Sequence, residues 1–417
     1  MTSPLADHLV ADLTAALQAI PLIDPHSHID PLRPVSQSLD DILGYHYYTE
    51  LAHSAGMPQD VLAPGVSPRE RVREIVRYME RFDNTAQYGW FVEIAQAFLG
   101  FTDRRVTAND ADRLFDAAAT TFARPDWEQQ VFRKSNLEKI FLTNEFDDPL
   151  SGFDTAIYIP CLRTDTLVFK MDEPAVQERL SRTTGITVSL EDDGSSLRQA
   201  VRRLFERFVA KGARACAISL PPECAFACTT ALVPMTKETL SGNIFRLLCE
   251  NCREFGLPFD LMIGVHRGVY ANGVYQGRDL FDQRTSLYPY RAYFNDFPEV
   301  TFPISVLTSA QNQELVAYSW IFPNVITNAH WWYSNIPAYI SKDLRERLQG
   351  VPKTKQIGYY SDAYKLEFVL PKYNMYRRLL AQALADDFVR PGRLTESEAV
   401  ALGKHLLRDN VREIFRI

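Results

Sequence analysis

The sequence predicts an α/β protein built as a (β/α)8 barrel of the TIM type, with a helical insertion after the first strand. Three observations point there: short apolar, β-rich runs recur along the chain, most are separated by segments of helical periodicity, and eight such runs are present. The alternation suits a parallel sheet with crossover helices. A doubly wound open sheet would use the same alternation, so the count favours a closed barrel without excluding the open form.

The chain opens on Met1–Ile20, where Asp7, His8, Asp12 and Gln18 mix with apolar residues at roughly helical spacing. It has no basic start and no apolar core of signal-peptide length, so export is not indicated. The eight runs are Leu22–His28, Lys139–Asn144, Ala156–Arg163, Ala213–Leu220, Pro258–Val265, Val300–Leu307, Asn324–Trp331 and Gln356–Asp362. Between the first and second lie about a hundred residues of helical pattern, including Pro68–Phe82 and Tyr88–Leu99, far more than an ordinary βα connection needs. This divides the chain into a barrel, residues 1–30 and 138–417, and a mostly helical insertion, residues 31–137, over the barrel mouth. Loops after barrel strands form the face where chemistry occurs, so an insertion there can contact substrate and exclude water. Arg378–Phe388 and Glu396–Phe415 read as helices closing the outer ring.

Composition narrows the function. The chain has 417 residues, 46% hydrophobic and 23% charged, which fits a globular protein with a sizeable core rather than a disordered one. A formal net charge of −7 argues against a nucleic-acid partner, since phosphate contacts call for a basic face. No stretch approaches the length of uncharged apolar sequence that a membrane span requires. A cytoplasmic location with no membrane partner is therefore expected. The six cysteines, Cys161, Cys216, Cys224, Cys228, Cys249 and Cys252, read as reduced thiols. Cys249 and Cys252 form a C-x-x-C with Cys224 and Cys228 upstream, a spacing that superficially suggests zinc. However, Cys249 falls in Asn243–Phe255, an amphipathic helical segment, which favours packing.

The sharpest local signal is Asp24-Pro-His26-Ser-His28 at the end of the first run. Side chains alternate along a strand, so His26 and His28 share a face, and two imidazoles there can grip one divalent cation. The alternative is a pair of hydrogen-bonding or solvent-facing histidines. A metal site needs at least a third protein ligand, and Asp362 ends the last run. In a closed barrel the first and last strands are neighbours, which brings Asp362 to the two histidines across the chain. A carboxylate there can bind metal, act as a base, or, on its own, simply cap a helix.

The chain resembles the uronate isomerases (glucuronate isomerase family) of the amidohydrolase superfamily, and is nearest their shorter bacterial branch. The likeness is carried by Ile23-Asp-Pro-His-Ser-His28, Leu43-Gly-Tyr-His-Tyr47, Leu142-Thr-Asn-Glu-Phe-Asp-Asp148, Leu162-Arg-Thr-Asp165, Ile218-Ser-Leu-Pro-Pro222, Met262-Ile-Gly-Val265, Trp331-Trp-Tyr-Ser-Asn335 and Ser361-Asp-Ala363. It implies an aldose–ketose isomerase that converts D-glucuronate to D-fructuronate, D-galacturonate to D-tagaturonate, or both, by moving a proton between C2 and C1. His26, His28 and Asp362 would hold one divalent metal, zinc by preference, with manganese, iron or nickel also compatible. Asp362, His46 and Tyr47 would be catalytic, the last two supplied by the loop after the first strand. Arg163 would bind the acidic substrate, which matches the two parallel hydrogen bonds a guanidinium offers a carboxylate. Trp331 and Trp332 would wall the site.

The chain departs from the family pattern at Tyr364, which stands where the shorter branch has a substrate-facing arginine, so Tyr364 is the substrate contact at that position. Lys365 follows it and would face away in a regular strand. Met262 stands where many members have a histidine. His330, just before Trp331, either adds a ligand or base to the site or simply packs, and packing is the favoured reading. The partner is a small sugar acid, with self-association into a homo-oligomer left open. The alternative reading is a metal-dependent hydrolase or lyase of the same superfamily acting on another acidic or sugar-like substrate.

Overall fold

A computed structural model describes residues 4–191, 194–224 and 236–417. Each of the eight apolar runs contains a strand or, in the second, overlaps one that starts two residues earlier: β1 Leu22–Asp24, β2 Leu137–Phe141, β3 Tyr158–Ile159 with β4 Cys161–Arg163, β5 Ala215–Leu220 and β6 Phe259–Ile263. After an outlying hairpin, β7 Val265–His266 with β8 Leu280–Phe281, come β9 Phe302–Val306, β10 Val325–Asn328 and β11 Gln356–Ile357. The strands are shorter than the runs that predict them. At the C-terminal ends the chain leaves regular pairing to form the site.

The ladders are parallel and run β1-β2-β3, then β4-β5-β6-β9-β10-β11. Pro160 separates β3 from β4. It has no N–H to give a ladder, so one predicted run becomes two short strands that pair on opposite sides, β3 with β2 and β4 with β5. The circle closes beyond the last strand: the Asp362 N–H donates to the His26 carbonyl at 3.2 Å and the His28 N–H to the Ala363 carbonyl at 2.8 Å. Residues of β5, β6, β9 and β10 are buried along their whole length, as expected where helices cover the outside of a parallel sheet.

Between β1 and β2 lie helices Leu39–Leu43, His46–Ser54, Pro68–Met79, Ala86–Phe98, Ala111–Phe122 and Trp127–Ser135. Pro68–Met79 shows why these form. Ser67 accepts the Glu70 N–H and Glu70 reaches back to the cap, Pro68 occupies the first turn, and Val72, Ile75, Val76 and Met79 make one buried stripe. That stripe joins the same apolar cluster as the helix Val369–Leu384, whose Tyr373, Tyr376 and Leu380 are buried. The helices after β1 are thus packed against the barrel's own helical ring.

Cys249 and Cys252 lie on the helix Leu240–Phe255 and are buried beside Cys216 of β5. Burial pushes both thiols well above their ordinary range, toward the neutral form that binds zinc poorly. Among the described residues no cysteine joins a ligand cluster; Cys228 lies outside them. No described helix is long and apolar enough to cross a membrane.

Candidate active site

His26 and His28 follow β1, and Asp362 follows β11, so the pairing that closes the barrel also builds the site. His26 Nε2 lies 3.5 Å and His28 Nε2 3.3 Å from the same oxygen, Asp362 Oδ1. One ligand atom from each residue falls within 4.8 Å of the others. His26 Nε2 and Asp362 Oδ1 are buried with no hydrogen-bond partner among the described residues. Ligands of a tetrahedral ion with bonds of about 2.1 Å stand about 3.4 Å apart, so the two separations fit a shared divalent cation. Orphaned atoms at that spacing make His26, His28 and Asp362 a fitting donor set.

The electrostatics run the same way. Burial disfavours ionisation of Asp362, but the two imidazoles outweigh it and hold its carboxyl well below the ordinary range. At His26 burial is likewise outweighed, by Asp362 and then Asp260 and Asp24, and its pKa rises. At the more open His28 burial prevails and lowers it. Behind His26, burial raises Asp260 and Asp24 to about 6. Asp260 accepts the Asn328 amide at 3.0 Å, and Asp24 accepts the Ser361 N–H at 2.9 Å. These contacts tie the strand ends together.

His28, His46, Arg163, Asp362, Tyr364 and the pair Trp331 and Trp332 line one cavity at the barrel mouth. His46 starts the helix His46–Ser54 rather than lying in a loop, and its ring packs among Tyr45, Tyr47, Trp332 and Tyr364. Burial pushes its pKa down to about 3, so its imidazole is neutral near neutral pH. Tyr364 stacks on His28 with ring centroids 4.9 Å apart. Arg163 is half-buried and held by Asp165 at 3.2 Å and Glu145 at 3.8 Å.

Tyr47 does not line the cavity. It is buried next to His46, its ring 6.1 Å from Trp90, and its hydroxyl has no partner among the described residues. Lys365 turns away and donates to the Arg33 carbonyl at 2.8 Å. Met262 lines the cavity and His330 is buried outside it.

Sequence reasoning gave no role to five lining residues: Thr143 and Ser219, which lie within segments that carry the resemblance, and Arg267, Gln276 and Asp279, which it missed outright and which lie on the β7–β8 hairpin and the turn between its strands. The only signal was Gly264, Gly268, Gly273 and Gly277, a spacing that marks a turn-rich connection after the fifth predicted run.

Barrel and site together define a TIM-type (β/α)8 barrel with a candidate metal centre of two histidines and an aspartate. Along nearly its whole length the chain is similar to uronate isomerases. The relative from Corynebacterium efficiens is 23% identical, covering 99% of this chain and 97% of its own. That from Rhizorhabdus wittichii is 24% identical, covering 97% and 94%. Among solved structures, the glucuronate isomerase of Caulobacter crescentus superposes with a TM-score of 0.88 at 20% identity, covering 100% of this chain and 95% of its own. The uronate isomerase of Bacillus halodurans gives 0.84 at 22%, covering 100% and 97%. No protein-family model matches the chain.

Proposed function

We propose that the protein is an aldose–ketose isomerase acting on a hexuronate, D-glucuronate, D-galacturonate or both. The observation that carries this is the convergence of His28, Asp362, His46 and Arg163 on one cavity, with His26 behind them. The full-length similarity to uronate isomerases supports the same reading.

In the opened sugar the C2–H bond breaks, a C1–H bond forms, and the hydroxyl proton passes from O2 to O1. Asp362, kept ionised by its two histidine neighbours, is the base for C2 and returns the proton to C1. His46, neutral and at the cavity wall, hydrogen-bonds the sugar oxygens between which the second proton moves. Tyr47 supports the His46 ring. Arg163 binds the acid, and Trp331 and Trp332 wall the substrate from water. His26, His28 and Asp362 would hold one divalent ion, preferentially zinc, which when bound would polarise the oxygens on C1 and C2. A reaction confined to a small free sugar acid suits a cytoplasmic enzyme.

The test is incubation of the purified protein with each hexuronate, followed by chromatographic separation of aldose and ketose. Formation of an isomer of unchanged mass and charge supports the proposal. Cleavage or dehydration of the substrate would replace it with the hydrolase or lyase reading.

A further inference from the structure

The barrel-mouth cavity holds about 180 Å³, less than the roughly 300–1,000 Å³ of most ligand pockets, and suits a single open-chain sugar acid. Two larger cavities adjoin it. One, of about 580 Å³, shares Asp279 with it and also contains Glu50. Those surroundings already raise the Glu50 carboxyl to about 8, by burial and then by Asp279, so they disfavour a further negative charge. The other, of about 460 Å³, shares Arg163, Ser219 and Arg267 and is completed by residues of the helix Asp165–Lys170 with Pro221 and Val265.

The lining of the 460 Å³ cavity is cationic: Arg163, Lys170 and Arg267 stand against the single carboxylate of Asp165. Asp165 lies 3.2 Å from Arg163, whereas Lys170 forms no ion pair among the described residues and remains for a ligand. Pro221 and Val265 offer apolar surface for the C–H face of a sugar ring, and Thr166 and Lys170 offer polar groups for its edge, the mixture common to small-molecule sites. The boundary with the barrel-mouth cavity consists of Arg163, Ser219 and Arg267, the last two joined by a 3.2 Å hydrogen bond. Both arginines are long side chains partly open to solvent, so this boundary is not a wall of backbone.

Isomerisation needs a free aldehyde at C1, so any further unit on the sugar is carried by an oxygen remote from C1 and C2. With C1 and C2 at Asp362 and the acid at Arg163, O4 lies two carbons from the acid and faces the shared boundary. We infer that the substrate class extends to a hexuronate carrying a second uronate unit on O4, with the reacting unit in the barrel-mouth cavity and the second unit in the 460 Å³ cavity beyond Arg163 and Ser219. This rests on the isomerase reading above. The bonds broken and formed are those at C2 and C1 already described, and the glycosidic bond stays intact.

The experiment measures kcat/KM for D-galacturonate and D-glucuronate, each free and as its 1,4-linked dimer, with the reducing-end ketose detected by NMR and the dimer mass checked for cleavage. The unaltered protein should convert a dimer with kcat/KM within about tenfold of that for the free sugar acid, or above it. Thr166→Trp fills the second cavity, and Lys170→Glu places a negative charge beside the second unit. Each should lower kcat/KM for the dimer about tenfold or more while holding that for the free sugar acid within about twofold, which also shows that the variants fold. Conversion of a free hexuronate but not of its dimer, or variants that act alike on both, would overturn the inference and leave the isomerase reading standing. No conversion of either sugar acid, free or as dimer, by the unaltered protein would overturn that reading, and the second subsite with it.

Discussion

The ammonium of Lys372 lies 2.6 Å from the carbonyl of Ser361, the residue immediately before Asp362. The same ammonium is 3.2 Å from the Tyr45 hydroxyl, which in turn donates to the Asp362 carbonyl at 2.7 Å. Lys372 is wholly buried, against the rings of Tyr45, Tyr47 and Trp90. Asp362 adopts φ 51°, a conformation that costs a non-glycine residue on the order of 1–3 kcal/mol and persists only where its surroundings impose it. One buried cation thus holds the Ser361 carbonyl directly and the Asp362 carbonyl through the Tyr45 hydroxyl, on either side of the strained backbone.

Lys372→Met removes the clamp while keeping the volume. Because burying an ammonium is itself unfavourable, the variant should be about as stable as the parent, or more so. Its kcat should fall about 10- to 100-fold, as when a residue that orients a metal ligand is lost. Thermal unfolding and turnover measured side by side check this: unchanged kcat would show that Asp362 needs no help to hold its geometry.

Metal content tests the ligand set independently of activity. Either His28→Ala or Asp362→Asn should lower the bound divalent metal, measured by elemental analysis after dialysis, by about tenfold or more. Full retention in both variants would place the ion elsewhere.

Tyr364 contributes mainly its ring, which is stacked on His28, since its hydroxyl contact at 3.5 Å is too long to be strong. Tyr364→Phe should therefore hold kcat/KM within about threefold, while Tyr364→Ala should lower it about tenfold or more. Equal losses in the two variants would shift the role to the hydroxyl.

Glu50, on the helix that begins with His46, has a carboxyl pushed up to about 8 by burial and then by Asp279. An acid whose pKa is raised on folding binds more protons in the native state than in the unfolded one. The native state therefore loses stability as pH rises from about 4.5 toward 8. Glu50→Gln should melt at a higher temperature than the parent above pH 8, and the difference should vanish below the ordinary carboxylate range. A difference that stays constant with pH would refute the burial account.

The strands were legible because parallel barrel strands are buried on both faces and so read as continuous apolar runs, as in Ala215–Leu220 and Phe302–Val306. His26 and His28 were legible as a local spacing, and Asp362 because closure makes first and last strands neighbours. The β7–β8 hairpin was not, because two-residue strands around a glycine-rich turn carry no periodicity. Lys372 was hidden for another reason: lysine in a helical segment reads as a solvated face, and only tertiary packing reveals a buried cation. Tyr47 sits beside His46 in sequence, yet on a helix the next residue points about 100° away, toward Trp90 rather than the cavity.

The central claim is proton transfer at C2 by Asp362. Its most direct test is proton NMR of the metal-loaded protein with glucuronate and galacturonate in D2O, run alongside Asp362→Asn. The account predicts ketose formation with deuterium entering the carbon positions between which the proton moves, and loss of both signals in Asp362→Asn. Conversion and exchange that survive in Asp362→Asn, or none at all in the folded, metal-loaded parent, would contradict it.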